Sequence, residues 1–211
     1  MKDTKRKIIQ ATIDLFNEHG CTNVSLPQIA RHLSISLGNL TYHFPKKDQL
    51  MWSVYDTFRA DLADITSEYQ SMVDLEDIDR QLREFYHFQK KYRFFYLDPL
   101  AMNRSYPEIA KDHHPYVEGH IQGVFNYFIY NVGSGNLKSV DDISDYKRLA
   151  HRFWMTAAFW PMQLAFRGKI GNQKEMLASV WELIAPYFTN KGKKNYKHFA
   201  LKNANAVKKS N

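Results

Sequence analysis

The segment from Ser25 to Phe44, SLPQIARHLSISLGNLTYHF, admits few structures. Ser25, with Gln28 three residues on, is the capping-box signature of a helix start. Ile29, Ala30 and Leu33 then recur at helical spacing. Ser34 falls at a turn, and Ile35 is the apolar residue that plugs such a turn into a small core. Ser36 is a second N-cap, with Asn39 at the third position of the helix it opens. Leu40 and Phe44, one turn apart, anchor that helix inward. Gly38, Asn39, Thr41, Tyr42 and His43 are left for solvent or a partner. A helix with so little apolar cargo is presented rather than buried. The pattern fits an ordinary pair of surface helices, or a helix-turn-helix offering one helix to a DNA major groove about 12 Å wide.

Upstream, Thr4 to His19 reads as an amphipathic helix with Ile8, Ala11, Thr12, Leu15 and Phe16 on one stripe. Asp3 suits its N-cap and Gly20 its C′ position. Three helices of this kind can share one small core, as homeodomain-like units do. An N-terminal helix ending LFNEHG, then NVSLPQIARHLSIS, then GNLTYHFPKKDQL, resembles the TetR/AcrR family of bacterial transcription regulators over residues 3–60. Beyond those residues the likeness is one of length and helical character.

The resemblance implies roles. The helix opened by Ser36 would lie in the major groove, with Leu37, Gly38, Asn39 and Thr41 facing base edges or flanking phosphates. Tyr42 and His43 would touch the DNA backbone, Lys47 would meet a phosphate, and Ser25 and Gln28 would stand near the backbone. Asn39 and Thr41 are the specificity candidates. An asparagine pairs with adenine through two bonds, and a threonine methyl meets a thymine methyl. The chain departs from the family pattern at Ser34, where glycine is usual and a left-handed backbone is expected, and at Lys46, where a capping Asn or Ser is common.

The net charge of +7 is unevenly placed. Thr189 to Asn211 holds seven lysines and no acid, which equals the whole excess. Residues 1–48 are mildly basic and residues 49–188 mildly acidic, as a groove-binding head on a ligand-binding body would be. The composition of residues 189–211 reads as a disordered tail, either solubilising or adding salt-dependent attraction to DNA. Cys21 is the one cysteine, so no intramolecular disulfide can form, which suits a reducing cytoplasm. No apolar run approaches the roughly 18 residues of a membrane span.

The remainder reads as helices at 47–71, 75–92, one opened by a Ser105–Glu108 capping box with Pro107 in its first turn that kinks at Pro115 and runs to about 132, 142–167 and 173–188. The first carries Leu50, Val54, Phe58, Leu62 and Ile65, and links head to body. Leu149, Phe153, Thr156, Trp160, Leu164 and Ala165 stripe the helix over 142–167. Met176, Val180, Leu183, Ile184 and Tyr187 stripe the one over 173–188. Either stripe can face its own core. The resemblance implies a homodimer through these two helices.

An apolar pocket for a small apolar or aromatic effector would draw on Phe85, Phe88, Tyr92, Phe95, Tyr96 and Met102, and further along on Tyr127, Phe128, Trp154, Met155, Phe159, Trp160 and Met162. The same side chains can simply pack. Pro161, inside the helical pattern, removes a backbone bond there. His113, His114 and His120 beside Asp112 invite a metal reading, but adjacent histidines point to different sides of a helix and no further ligand completes a site. No catalytic motif and no cofactor-binding loop is present.

The chain is therefore expected to be all-α. A helix-turn-helix head spans residues 1–48, a ligand-binding and dimerisation bundle residues 49–188, and a tail residues 189–211. The expected function is a cytoplasmic repressor released from a palindromic DNA operator by a small molecule. A DNA-binding protein without a ligand, and a helical adaptor or enzyme with a merely structural N-terminus, are the alternatives.

Overall fold

The computed structural model describes residues 2–67 and 73–209. They form twelve α-helices: α1 (Lys2–His19), α2 (Leu26–His32), α3 (Leu37–His43), α4 (Lys47–Ser67), α5 (Leu75–Lys91), α6 (Arg93–Leu97), α7 (Pro99–Ser105), α8 (Pro107–Gly133), α9 (Ser144–Ala158), α10 (Trp160–Phe166), α11 (Gln173–Ile184) and α12 (Asn190–Lys209). A 3-10 turn, Ala185–Tyr187, follows α11. Among the described residues there is no strand, only an isolated bridge between Leu137 and Phe188. None of the described helices is long and apolar enough to cross a membrane. The expected end of the helix beginning at Lys47, residues 68–71, lies outside the described residues.

The chain divides into two compact units, Met1–Asp64 with His87–His114, and Ile65–Tyr86 with Pro115–Asn211. The first is built on the expected stripe of α1. Ile8, Ala11, Thr12, Leu15 and Phe16 are all buried, joined by Ile13. Thr12 is tolerated inside because its hydroxyl donates to Ile8 O at 2.7 Å. Val24, Ile29, Ala30, Leu40, Phe44 and Leu50 complete the small core. The unit extends well past residue 48 because α1 also packs on α6. Phe16 meets Phe94 edge to face at 5.3 Å. Asn17 binds both sides of the α5–α6 junction, donating to Lys91 O at 2.8 Å and accepting from Phe94 N at 3.0 Å.

The second unit packs α9 against α11, with Phe128 of α8 between Tyr146 and Phe153. Leu149, Phe153, Val180 and Ile184 of the two predicted stripes are buried in this core, and Leu164 and Met176 are also buried. A deeply buried carboxylate there, Asp79, accepts from Trp181 Nε1 at 2.9 Å and from Arg83 Nε at 2.7 Å. Asn131 and Asn136, both buried, bond each other at 2.9 Å, and Asn131 also donates to Val73 O.

Three expectations are corrected. The helix over 142–167 is two helices, α9 and α10, because Pro161 in the first turn of α10 cannot donate back to α9 and the chain breaks at Phe159. Ser105 ends α7 instead of capping the next helix, and α8 starts two residues on at Pro107. The tail is not disordered from residue 190. It forms α12, whose Tyr196 and Phe199 rings lie 5.0 and 5.7 Å from Trp181. Gly192 permits this docking, since a Cβ there would stand 2.0 Å from Asn136 O. Lysine composition described the exposed side of this helix and hid its aromatic anchor.

Two outcomes follow from these burials. Asp79→Ala strands a buried indole N–H and a guanidinium, so unfolding in urea should show a loss of about 3 kcal/mol. His120 is held below the ordinary imidazole value of 6.5 by burial. Its unfolded form therefore binds the proton first as pH falls through that value, and stability drops below it. A pH series of Tm should lose part of that acid-side decline in His120→Gln.

Candidate nucleic-acid interface

The turn between α2 and α3 forms as its residues dictate. Gln28 Oε1 accepts from Ser25 N at 2.7 Å and from the Ser25 hydroxyl at 2.8 Å, fixing the start of α2. Ser34 takes a left-handed backbone with φ of 55°, as anticipated at the position where glycine is usual. Ile35 N then reaches back to Ala30 O at 3.0 Å and closes the corner. Ser36 Oγ accepts from Asn39 N at 3.1 Å and starts α3. Leu40 and Phe44 are buried and hold the helix down.

What α3 leaves outside is polar and aromatic. Leu37, Gly38 and Asn39 are exposed, and Tyr42 is 72% exposed. Thr41 turns its hydroxyl back to Leu37 O at 2.9 Å, which occupies the hydroxyl proton. His43, half-buried, meets Tyr42 edge to face at 5.2 Å. Ser25 and Gln28 are exposed at the start of α2, so these groups stand on the surface of one small unit. The surface of the three-helix head also holds a cleft of about 260 Å³ between α1 and α2, lined by Leu15, His19, Val24, Gln28, Arg31 and His32.

Lys47 is placed differently from an exposed phosphate ligand. Its ammonium donates to Cys21 O at 2.7 Å and approaches Thr22 O at 3.4 Å. It lies 5.8 Å from the centroid of the Phe16 ring. Partial burial lowers its pKa. Sequence reasoning missed this link because the two carbonyls lie 25 and 26 residues away. Cys21 is buried, with its thiol 3.2 Å from Met102 Sδ and its pKa raised by desolvation.

The proposed pocket residues do not form one group. Phe88, Tyr92, Phe95 and Tyr96 surround Phe58 in the first unit, with ring centroids 4.8, 5.1, 4.4 and 6.3 Å from it. His113 joins them, 5.8 Å from Phe58 and with Nδ1 3.3 Å from the Tyr55 hydroxyl. Tyr92 donates to Asp61 at 2.7 Å, and burial pushes the phenol pKa of both Tyr92 and Tyr96 upward. In the second unit Phe128 is core, Phe85 packs beside that core, and Tyr127 accepts from Gln81 at 3.2 Å. Trp154, Trp160 and Met162 are half-buried, while Met155 and Phe159 are exposed. No cluster of three metal-ligating side chains occurs among the described residues. The role of Phe58 as hub was detectable only as one member of the α4 stripe.

Residues 8–54 match the family model described as bacterial regulatory proteins of the tetR family, and residues 48–196 match the one described as the TetR bacterial transcriptional repressor. The chain belongs to the TetR family. The HTH-type transcriptional regulator AcrR of Shigella flexneri is 24% identical over 70 residues, 33% of each chain. An HTH-type transcriptional regulator of Staphylococcus aureus is 30% identical over 81 residues, 36% of this chain and 44% of that protein. The chain thus matches less than half the length of these curated relatives.

Solved structures share the fold over almost the full chain. A TetR-family regulator from Marinobacter aquaeolei VT8 superposes with a TM-score of 0.82 at 22% identity, covering 94% of this chain and 98% of that one. A gamma-butyrolactone receptor gives 0.67 at 18% identity, covering 95% and 96%. A transcriptional regulator from Saccharomonospora viridis in complex with choline gives 0.69 at 17% identity, covering 88% and 97%. TetR-family regulators bind DNA operators and form dimers.

Ser36→Ala removes the cap of α3 and should lower the stability of the head by about 1 kcal/mol in denaturant titration. Lys47→Met should lower Tm as well, because it removes the ammonium that bonds the Cys21 carbonyl.

Proposed function

We propose that this protein is a homodimeric transcription repressor that occupies a palindromic operator and leaves it when a small molecule binds. One observation carries the reading: α3 stands capped and anchored, with Asn39 and Tyr42 exposed and Thr41 half-buried beside them. Asn39 and Thr41 read base edges, Tyr42 and His43 contact the sugar-phosphate strand, and Ser25 and Gln28 support the flank. Leu37 and Gly38 let the helix approach closely. Lys47 acts by positioning, holding the α1–α2 turn at the height the strand requires, with a remaining ammonium proton for phosphate.

A single reading helix meets few base pairs, and a two-fold dimer reads half-sites about 34 Å apart. The dimer would form through α9, α10 and α11. Support comes from the apolar side chains left outside on the first two and at the break between them, Met155 at 45%, Phe159 at 38% and Phe166 at 86% exposure. Effector release follows population-shift logic: a ligand that binds better to one spacing of the heads changes operator affinity by that difference. In this unit the route is short. The aromatic cluster around Phe58 continues through Phe94 and Asn17 into α1, so a displaced ring moves the head. The gamma-butyrolactone receptor and the choline complex among the structural relatives support a small-molecule effector.

Selection of bound duplexes from a random pool tests the reading, and an inverted repeat in the winners is expected. Asn39→Ala should then relax one position in each half-site, at a cost of about 1–3 kcal/mol there. Lys47→Met should weaken all sequences alike. Winners without two-fold symmetry, or no retention of any duplex at low salt, would overturn the proposal.

A further inference from the structure

Two buried hydrogen-bond donors in the second unit have no acceptor among the described residues. They are the indole Nε1–H of Trp160 and the amide Nε2 of Gln163, and both nitrogens are sealed from solvent. The amide cannot simply be turned around, because Arg167 donates to Gln163 Oε1 at 3.0 Å and fixes which end is nitrogen. The two residues stand three apart on α10, so their side chains leave the helix on neighbouring positions of one face. Pro161, in the first turn of α10, accompanies its break from α9 at Phe159.

The chain after α10 returns over these side chains. A Cβ at Gly171 would lie 2.2 Å from Leu164 Cδ1 and 3.2 Å from Trp160 Nε1, so the backbone passes close to the indole and a larger residue would push the Leu164 side chain aside. The Gly171 carbonyl, the nearby backbone acceptor, already receives the Tyr86 hydroxyl at 3.2 Å. A sealed donor without a partner forfeits its hydration and gains nothing in exchange.

We propose that Trp160 Nε1–H and Gln163 Nε2–H are a donor pair for a neutral oxygen acceptor, the carbonyl of a ketone, ester, lactone or amide, on the apolar effector. The proposal rests on the effector-responsive reading above and specifies the ligand's chemistry. Charge excludes an ionised carboxylate. Both donors are neutral, the guanidinium of Arg167 is exposed and bonded to Gln163 Oε1, and Arg83 is paired with Asp79. A carboxylate buried there would lose its hydration without a counter-charge.

The first measurement needs no ligand. Trp160→Phe and Gln163→Leu delete the donors while keeping an apolar side chain in place. Unpartnered donors are a burden in the free protein, so each variant should raise Tm by roughly 2–4 °C. The second uses wild-type protein labelled with nitrogen-15, in which the Trp160 indole resonance is identified by its loss in Trp160→Phe. α-Tetralone, or its ring homologues indanone and benzosuberone, should move that resonance downfield at millimolar concentration. The matched hydrocarbon tetralin and the anion naphthoate should leave it in place. A fall in Tm in both variants would mean that the donors are already bonded, by protein or a resident water, and overturns the inference. So does silence from all three ketones, or an equal response to tetralin or naphthoate. Gel retardation of the selected operator in the same preparations separates the two levels. Wild-type protein that retains operator but fails these arms keeps the repressor reading and loses the donor pair. Protein that retains no duplex loses the repressor reading itself.

Discussion

A helix ends with carbonyls that it cannot bond itself, and at the end of α1 these carbonyls organise the head. Gly20, in a left-handed backbone with φ of 81°, bonds Phe16 O at 2.9 Å, and the Asn23 amide takes His19 O at 2.9 Å. One residue beyond, Lys47 closes on Cys21 O at 2.7 Å. That last bond fastens the start of α4 to the turn before α2. Burial of the ammonium costs hydration, which is why its pKa falls. Two carbonyls and the Phe16 ring compensate.

The same helix end also meets α6 and α7. Phe16 on Phe94, Asn17 across the α5–α6 junction and Cys21 on Met102 are three different kinds of contact within six residues of α1 and its turn. Close-packed interiors pass displacement on instead of absorbing it. The aromatic cluster around Phe58 lies one ring beyond Phe94 and Phe95, so the head and this cluster belong to one mechanical body. A boundary drawn at residue 48 would separate side chains that touch.

The second unit shows a different economy of polar groups. Asp79 is buried because Trp181 and Arg83 both donate to it, and the asparagine pair at 131 and 136 ties α8 to the loop beneath α12. Thr189 extends that arrangement, donating to Gly135 O at 2.7 Å and accepting from Gly192 N at 3.0 Å. The basic helix α12 is thereby attached at its start and at its aromatic face. Its lysines 193, 194 and 197 are exposed. Trp160 and Gln163 stand out against this background, since elsewhere the unit supplies an acceptor for the buried donors described above.

Local rules fixed the parts of this protein that are local. The caps at Ser25 and Ser36, the left-handed turn at Ser34, the buried stripe of α1 and the outward face of α3 depend on residues within one or two helical turns, and sequence reading found each. The interruption at Pro161 was legible too, though not that it would make two helices. The tertiary structure alone decided which apolar faces meet. It turned a lysine-rich tail into a docked helix because Trp181 offers an aromatic surface and Asn136 a carbonyl that accommodates only glycine. It tied Lys47 to the backbone, split the aromatic residues between two cores, and left the donors of Trp160 and Gln163 without a partner. Burial and hydrogen bonding of a side chain depend on what the fold brings beside it from distant positions, and no spacing along the chain encodes that.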